Sequence, residues 1–429
     1  MFLAFFTSVL ALTAASGAAL GAALGLTGFF LLQFFAGGAT SLAVNSIWNV
    51  FNSFTLSAIP LFILLGEILL HSGISQRAYT AFMPVFARVP GGLLHTNIAV
   101  CTLFGAVSGS SLSTAAAVGS VAYPEMVKRG YNREAVVGSL AGGGTLGLLI
   151  PPSLSFLIYG ALTETSIGKL FISGFVPGLM VASLFMAYIF FASVRNPALY
   201  PRHDERMPLS AILMGTLRIW PVIVLILAII GTIAFGLATP TESAGVGVVI
   251  AAVIAFLWGE LTPRKLLASI FRAVLLFSSI GFVVLGATVL SQAASVLGAP
   301  QAILEMALAG GLGKYAVLLV VCLAYLVLGC FFDGLSLMVM TLPIVFPIMM
   351  KLGYDPIWFG VIVTMLIEVG QLTPPVGLNL SVLTVLTKGE VSLGRAAMAA
   401  IPYWAILMFA VVLLTVFPQI ATFLPNLVM

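Results

Sequence analysis

Long apolar runs separated by short polar stretches make up almost the whole chain. A helix needs about 20 apolar residues to cross the hydrocarbon core of a bilayer, and many of these runs reach that length. The pattern predicts an all-α polytopic membrane protein in which residues 1–429 form a single integral membrane domain. The apolar runs lie at residues 3–34, 47–70, 92–123, 135–163, 170–194, 210–236, 242–258, 266–297, 315–350, 356–387 and 397–426.

Composition and charge agree with this prediction. Hydrophobic residues make up 61% of the chain and charged residues only 7%, whereas soluble domains carry about 25% charged residues. Basic residues cluster in two polar stretches. Because cytoplasmic loops are enriched in Lys and Arg, both stretches are predicted to face the cytoplasm. The clusters are Lys128, Arg129 and Arg133, and Arg195, Arg202, Arg206 and Arg218.

The chain contains an internal duplication, in which eight residues of one segment recur 223 residues later without a gap. The match predicts two repeats, near 45–195 and 265–429, separated by a connecting loop and additional spans at 196–264. We expect the repeats to be inverted, by analogy with secondary transporters built from paired halves. The matching residues are Pro124, Met126, Lys128, Gly130, Tyr131, Gly147, Pro151 and Pro152, which recur as Pro347, Met349, Lys351, Gly353, Tyr354, Gly370, Pro374 and Pro375.

Each repeat interrupts its apolar sequence twice, in the same order. A first limb of about 16 residues reaches only about 24 Å, which is less than the 30 Å of a bilayer core. A polar tip and a returning limb follow, so we predict a re-entrant helical hairpin. The next helix contains a glycine and two consecutive prolines, which should unwind it locally. The first limbs lie at 92–107 and 315–330, the tips at 108–113 and 331–336, and the breaks at 147–153 and 370–377.

Unwound backbone inside a membrane leaves carbonyl oxygens that need a partner. Hard oxygen ligands suit a small hard cation such as sodium, and together with the tip hydroxyls they predict two equivalent ion sites. The alternative is that the breaks are ordinary proline kinks filled by neighbouring helices. The candidate groups are Ser108, Ser110, Ser111, Ser113 and the carbonyls of 147–152 in the first repeat, and Gly370, Thr373, Val376 and the tip at 329–334 in the second.

The half-helices that begin at the tips and breaks should direct the positive ends of their dipoles inward, which favours an anionic ligand. Neutral hydrogen-bonding side chains near these points are suited to hold carboxylate or hydroxyl groups. The sequence therefore predicts a small organic anion as substrate. The candidate substrate residues are Ser110, Ser113, Ser153, Ser155 and Asn379.

Two acidic residues near these elements each allow two interpretations. Asp333 occupies the second tip, where the first repeat has Ser110. It either faces an ion, a proton or the substrate or caps the helix that follows. Glu368 lies two residues before the second break, where it is either a proton carrier or a structural partner for a basic side chain. The acid in Thr239–Glu242 instead completes a capping box at a helix start.

Enzyme motifs are absent from the sequence. There is no GxxxxGK[ST], HExxH or GxSxG motif, and the three histidines are scattered. We therefore predict no enzyme activity and no cofactor, and expect transport driven by an ion gradient. The alternative, a non-transporting membrane scaffold or proton-channel subunit, would need intramembrane Lys, Glu or His relays, which are scarce.

Long segments of the chain resemble one family. The chain resembles the large membrane (permease) subunit of tripartite ATP-independent periplasmic (TRAP) transporters along nearly its whole length. The segments are SGSSLSTAAAVG at 108–119, YPEMVKRGY at 123–131, GGGTLGLLIPPS at 142–153, TSIGKLFISGFVPG at 165–178, ATPTESAGVG at 238–247 and GQLTPPVGLN at 370–379.

The resemblance implies an elevator-type fold, in which a scaffold carries a moving domain that contains both hairpins and both broken helices. It implies sodium symport of a carboxylate, delivered by a soluble periplasmic binding protein, across the bacterial inner (cytoplasmic) membrane. The implied sodium ligands are Ser108, Ser111, Gly147, Ile150 and Pro152 for one ion, and Gly329, Gly370, Thr373 and Val376 for the other.

The family also pairs this subunit with a small four-helix membrane subunit. Because the chain opens directly into apolar sequence, we expect that partner to be a separate polypeptide. Some family members place a basic side chain beside the substrate carboxylate, but residues 281–301 contain neither Arg nor Lys. Helix dipoles, serine hydroxyls or Lys314 would have to take that role.

Overall fold

The computed structural model describes residues 19–197, 217 and 219–428, and every regular element in this part of the chain is helical. The basic stretch around Arg202, Arg206 and Arg218 lies outside the described residues. The helices are α1 (Leu20–Phe35), α2 (Ser41–Phe51), a 3-10 turn (Thr55–Ser57), α3 (Ala58–His71), α4 (Ile74–Phe86), α5 (Leu93–Ser108), α6 (Ser111–Lys128), α7 (Arg133–Leu149), α8 (Leu154–Thr163), α9 (Ile167–Arg195), α10 (Trp220–Ala234), α11 (Pro240–Leu257), α12 (Pro263–Val296), α13 (Ala299–Ala309), α14 (Lys314–Gly329), α15 (Gly334–Lys351), α16 (Pro356–Gln371), α17 (Leu378–Leu386), α18 (Leu393–Val416) and α19 (Gln419–Val428).

Several helical segments of the described chain have the length and apolar composition of membrane spans. Six segments qualify, and the pair α2 and α3, bent by 55°, makes a seventh if it is one span. The prediction of an all-α polytopic membrane protein is therefore confirmed. The six segments are Arg133–Thr163, Ile167–Arg195, Pro240–Leu257, Pro263–Val296, Gly334–Lys351 and Leu393–Val416.

One group of helices, α1, α2, α3, α10, α11 and α12, packs mainly within itself. The long helix α12 lies along α1 and α3. Glycines allow α1 and α12 to approach closely: a Cβ on Gly286 would lie 2.0 Å from the carbonyl oxygen of Gly21. Inside a membrane no hydrophobic effect drives helices together. They associate instead through close packing, which small residues permit.

A second group contains both hairpins and both interrupted helices. Helix α7 packs against α5 and α6, while α16 packs against α14 and α15. These two central helices are almost wholly buried, from Val136 to Leu149 in α7 and from Ile357 to Gln371 in α16. The helices that carry the predicted breaks are therefore among the most deeply buried parts of the core.

Side-chain caps fix where these central helices begin. Asn132 accepts a hydrogen bond from the amide of Ala135 at 2.9 Å, and Asp355 accepts from two amides of the first turn of α16 at 2.8 Å each. Such caps satisfy amides that have no partner within the helix. The capping box predicted at Thr239–Glu242 is present as well.

Candidate ion and substrate site

Both predicted interruptions occur, one between α7 and α8 and the other between α16 and α17. The Pro151–Pro152 and Pro374–Pro375 peptide bonds are both cis. We call α5 to α8 the first half and α14 to α17 the second half. Each half shows the predicted order of a helical hairpin followed by a broken helix. Whether the halves are inverted repeats with the predicted boundaries stays a prediction.

Paired glycines hold each hairpin against the break of its own half. A Cβ on Gly105 would lie 2.8 Å from the Cα of Gly147, and a Cβ on Gly329 would lie 2.9 Å from the Cα of Gly370. Real Cβ atoms essentially never approach another atom this closely. Only glycine at these positions allows the backbone of the hairpin to touch the backbone of the broken helix.

The first tip is a compact cluster of hydroxyl groups. The Oγ of Ser108 lies 2.7 Å from the Oγ1 of Thr114, which donates to the carbonyl of Ser110 at 2.8 Å. Ser110 caps α6 by accepting from the amide of Ser113 at 3.4 Å. Ser108 and Thr114 are buried, whereas Ser110 and Ser113 are half-buried. Thr114 escaped the sequence analysis, although it stands one turn after Ser110.

The first break removes hydrogen-bond donors from several carbonyls. In a continuous helix the carbonyls of Gly147 and Leu148 would accept from residues 151 and 152, but both are prolines without an N–H. The helical donor to Ile150 would be the amide of Leu154, which instead donates to the carbonyl of Gly109 at 3.2 Å.

The predicted substrate residues Ser153 and Ser155 serve the broken helix directly. Both hydroxyls donate to the carbonyl of Leu148, that of Ser155 at 3.1 Å. The two hydroxyl oxygens lie 2.8 Å apart, and Thr364 donates to Ser155 at 3.2 Å. Both serines are fully buried. They replace the donor that Pro152 lacks, and a contact of either with substrate stays a prediction.

The second tip shows the capping contact that was one interpretation of Asp333. Its Oδ2 accepts from the amide of Ser336 at 2.9 Å, so Asp333 caps α15 as Ser110 caps α6. Gly334 follows, and a Cβ there would lie 2.3 Å from Ile367 and 3.6 Å from Leu148. The second tip therefore contacts the central helices of both halves. A further role of Asp333 toward ion or substrate stays a prediction.

At the second break, the predicted sodium ligands have hydrogen-bond partners of their own. The hydroxyl of Thr373 donates to Val369 at 2.7 Å and accepts from Trp404 at 3.0 Å. The carbonyl of Gly370 accepts from the amide of Thr373 at 2.9 Å, and that of Val376 accepts from Ser381 at 2.6 Å. Each of these oxygens keeps a second lone pair that could bind a cation. Because they already accept or donate hydrogen bonds, they are less available to a cation than the carbonyls of the first break.

Exposure also distinguishes the two breaks. Pro151 and Pro152 are buried, whereas Pro374 and Pro375 are exposed. An apolar crevice of about 370 Å³ runs beside Pro374 and is bounded by α18 through Met398 and Trp404. The second break is therefore accessible from outside this chain, and the first is not.

A cluster of polar groups from both halves lies where the first tip meets α16. The hydroxyl of Ser111 lies 2.7 and 2.6 Å from the two carboxyl oxygens of Glu368 and 3.1 Å from the carbonyl of Gly144. The amide nitrogen of Asn379 lies 3.5 Å from the same hydroxyl. Glu368 and Asn379 are fully buried and Ser111 nearly so. The side-chain partner of Glu368 is thus a hydroxyl group, and its role as a proton carrier or as a partner for a basic side chain stays a prediction.

Lys314, one of the possible partners for the substrate carboxylate, lies at the other end of its hairpin limb. It is the first residue of α14 and donates to the carbonyl of Gly353 at 3.2 Å. The tip begins after the 16 residues of this helix, which span about 24 Å. In this arrangement Lys314 stabilises the base of the second hairpin.

A hydrophobic helical core with two hairpins against two broken helices defines an integral membrane protein of the secondary-transporter class. The fold is similar to the crystal structure of the YdaH transporter of Alcanivorax borkumensis, with a TM-score of 0.63 over 97% of both chains at 14% identity.

The family model of the DctM component of tripartite ATP-independent periplasmic transporters matches residues 6–420. The chain belongs to this family, which confirms the resemblance found in the sequence. It is 35% identical to the C4-dicarboxylate TRAP transporter large permease protein of Pseudomonas aeruginosa, over 94% of this chain and 93% of that protein. It is 32% identical to the ectoine TRAP transporter large permease protein of Halomonas elongata, over 94% and 93%. These relatives are named as transporter permeases, in agreement with the prediction that the chain is not an enzyme.

Proposed function

We propose that this chain imports a small organic acid by sodium symport across the bacterial inner membrane. The observation that carries the proposal is the first break, where Gly147 and Ile150 lose their helical donors beside buried tip hydroxyls. Freed carbonyls and hydroxyls are hard oxygen ligands, which suit sodium. The orphaned side-chain oxygen of Asn379 nearby is buried without a partner and also fits a cation.

Two sodium ions would bind as co-transported cargo. Ser108, Ser111, Gly147, Ile150 and Pro152 would hold the first, and the carbonyl of Pro152 lies against the tip, 3.1 Å from where a Cβ of Gly109 would stand. The second would lie at the other break. Its proposed ligands are Gly329, Gly370, Thr373 and Val376.

Two ions provide enough free energy for accumulation. Each sodium ion that moves down a tenfold gradient releases about 1.4 kcal/mol, and an inward-negative potential of 100 mV adds about 2.3 kcal/mol. Two ions therefore release about 7 kcal/mol, while import of a monoanion costs about 2.3 kcal/mol and of a dianion about 4.6 kcal/mol. A single ion would fail to drive import of a dianion.

The substrate is proposed to be a carboxylate, delivered by a periplasmic binding protein. Relatives in Pseudomonas aeruginosa, Vibrio cholerae and Rhodobacter capsulatus are named as C4-dicarboxylate permeases, so C4-dicarboxylates are the first class to test. A small four-helix membrane subunit completes the proposed transporter. We propose it as a separate chain, although a relative in Oleidesulfovibrio alaskensis is named DctMQ and this chain covers only 58% of it.

Movement is proposed to follow the elevator scheme. The group that contains α1, α2, α3, α10, α11 and α12 would be the scaffold, and the group with the hairpins and broken helices would carry the cargo. The grouping of helix contacts supports this division. The contact between the groups includes Gly66 of α3, where a Cβ would lie 3.1 Å from the carbonyl of Ser108 at the first tip.

Uptake into proteoliposomes tests the proposal. The chain is reconstituted with its small subunit and binding protein, and uptake of labelled succinate is measured under an inward sodium gradient, with choline replacing sodium in the control. We expect accumulation with sodium only. Accumulation that is independent of sodium would contradict the coupling, and proton leak without uptake would favour the alternative of a proton-channel subunit.

A further inference from the structure

Glu368 is a buried acid in the middle of the core. It lies in α16 with no solvent exposure, and its carboxyl group contacts the Ser111 hydroxyl of the opposite half. Within the described chain, no Lys, Arg or His side chain forms an ion pair with Glu368. A carboxylate buried at this depth is costly unless a cation meets it.

The cluster has more hydrogen-bond acceptors than protons to share among them. The single hydroxyl proton of Ser111 faces three oxygens, the two of Glu368 and the carbonyl of Gly144. The side-chain oxygen of Asn379, whose nitrogen lies 3.5 Å from the same hydroxyl, is buried and has no hydrogen-bond partner among the described residues. Buried polar atoms are normally paired. A bound cation would satisfy several acceptor oxygens that share one donated proton.

We propose that Glu368 is the anionic ligand of the sodium ion at Ser111, with the carbonyl of Gly144 and the side-chain oxygen of Asn379 as further ligands. All of these are hard oxygens of the kind that bind sodium-like cations. The assignment rests on the sodium coupling proposed above. It adds that the ion connects the hairpin of the first half to the broken helix of the second, because Glu368 and Asn379 belong to α16 and α17.

The assignment also distinguishes the two proposed ion sites. The position 223 residues before Glu368 is Thr145, so the duplication does not supply a second acid. The proposed ligands of the other ion are all uncharged. Since a charged ligand raises the affinity of an oxygen site for a cation, we expect the site at Ser111 to bind sodium more tightly than the site at the second break.

The test is the sodium dependence of thermal unfolding of the purified chain in detergent, with choline chloride keeping the ionic strength constant. We expect sodium to stabilise the wild type and Glu368→Gln to need at least about tenfold more sodium for the same shift. Glu368→Asp should restore part of the difference because it keeps the charge. Glu67→Gln, which removes a buried carboxyl in α3, is the matched control. Its melting temperature should depend on sodium concentration as that of the wild type does.

The outcomes separate this assignment from the proposed function. A wild type that shows no sodium shift would contradict sodium coupling itself, whereas a normal shift in both the wild type and Glu368→Gln would overturn only the role of Glu368. Asn379→Asp provides a second variant should Glu368→Gln not fold. An added carboxylate beside a sodium ion should make stability more sodium-dependent. Destabilisation to the same extent at every sodium concentration would overturn the assignment.

Discussion

At the scale of single residues, the site depends on glycines, which have no side chain, and on polar side chains that cap helices. The Gly105–Gly147 and Gly329–Gly370 contacts exist because these residues have no Cβ. The sequence indicated Gly147 and Gly370 through the duplication, and it left two roles open for Asp333. The capping contact of Asp333 was predictable because a cap is local, involving an amide only three residues away. The contacts of Gly105 and Gly329 with these glycines were not predicted from the sequence, because a contact between residues far apart along the chain has no local sequence pattern.

Substitution of Gly147 tests the close contact at the first tip. A Cβ there would lie 2.6 Å from the carbonyl of Ser110 and 2.6 Å from the hydroxyl of Thr114. We expect Gly147→Ala to destabilise the chain by about 1–3 kcal/mol, because the backbone of the tip must move. The measurement is thermal unfolding in detergent.

The control is Gly231→Ala, in α10. A Cβ at Gly231 meets no atom within 4 Å, and alanine favours a helix over glycine. This variant should be neutral or slightly stabilising. Equal melting temperatures for Gly147→Ala and Gly231→Ala would show that the tip does not lie against the break as described.

At the scale of elements, the prolines of each broken helix remove backbone N–H donors, and nearby groups donate to some of the carbonyls instead. At the first break, Ser153 and Ser155 supply the hydrogen bonds that Pro152 cannot give to Leu148. The prolines made both interruptions predictable from the sequence. The serines were predicted as substrate residues, and their contact with Leu148 depends on how the chain turns after the break. The donors to Leu148 come from the break itself and the start of α8, so the alternative of kinks filled by neighbouring helices stays open.

Replacing both prolines of the second break tests the role of its carbonyls. In Pro374→Ala/Pro375→Ala the new amides can bond the carbonyls of Gly370 and Gln371 as in a continuous helix. We expect weaker sodium dependence of uptake, because a proposed ligand is withdrawn. Uptake is measured in proteoliposomes over a range of sodium concentrations. Pro84→Ala, a proline substitution within α4, is the control. Unchanged sodium dependence in the double variant would count against the second ion site.

At the scale of the whole molecule, the two halves are connected by two kinds of polar contact. Buried contacts join Ser111 to Glu368 and Thr364 to Ser155. The exposed contacts lie at one end of the helices, where Glu390 meets Tyr123 at 2.7 Å and Arg133 at 3.5 Å. Exposed ion pairs contribute little because solvent screens them and ordering two long side chains costs entropy. The buried contacts should therefore dominate the coupling between the halves.

Substitution of Glu390 measures the exposed contribution. Both ends of its ion pair with Arg133 are about half exposed, at 52% and 42%. We expect Glu390→Gln to change stability by less than about 1 kcal/mol, and by less still at high salt. Thermal unfolding at low and high ionic strength measures this effect. A loss of several kcal/mol that salt does not reduce would show that this end of the molecule holds the halves together.

The sequence by itself determined the long apolar helices, the two proline breaks and the capping box at Thr239–Glu242. Each of these follows from residues that are close along the chain: apolar runs, prolines without an N–H, and polar side chains that reach amides of the next turn. Only the tertiary structure decided that Ser111 and Glu368, 257 residues apart, share one buried point with Asn379. Burial removes water as a partner for every polar atom there. The role of the Glu368 carboxyl group therefore depends on which oxygens the fold places around it.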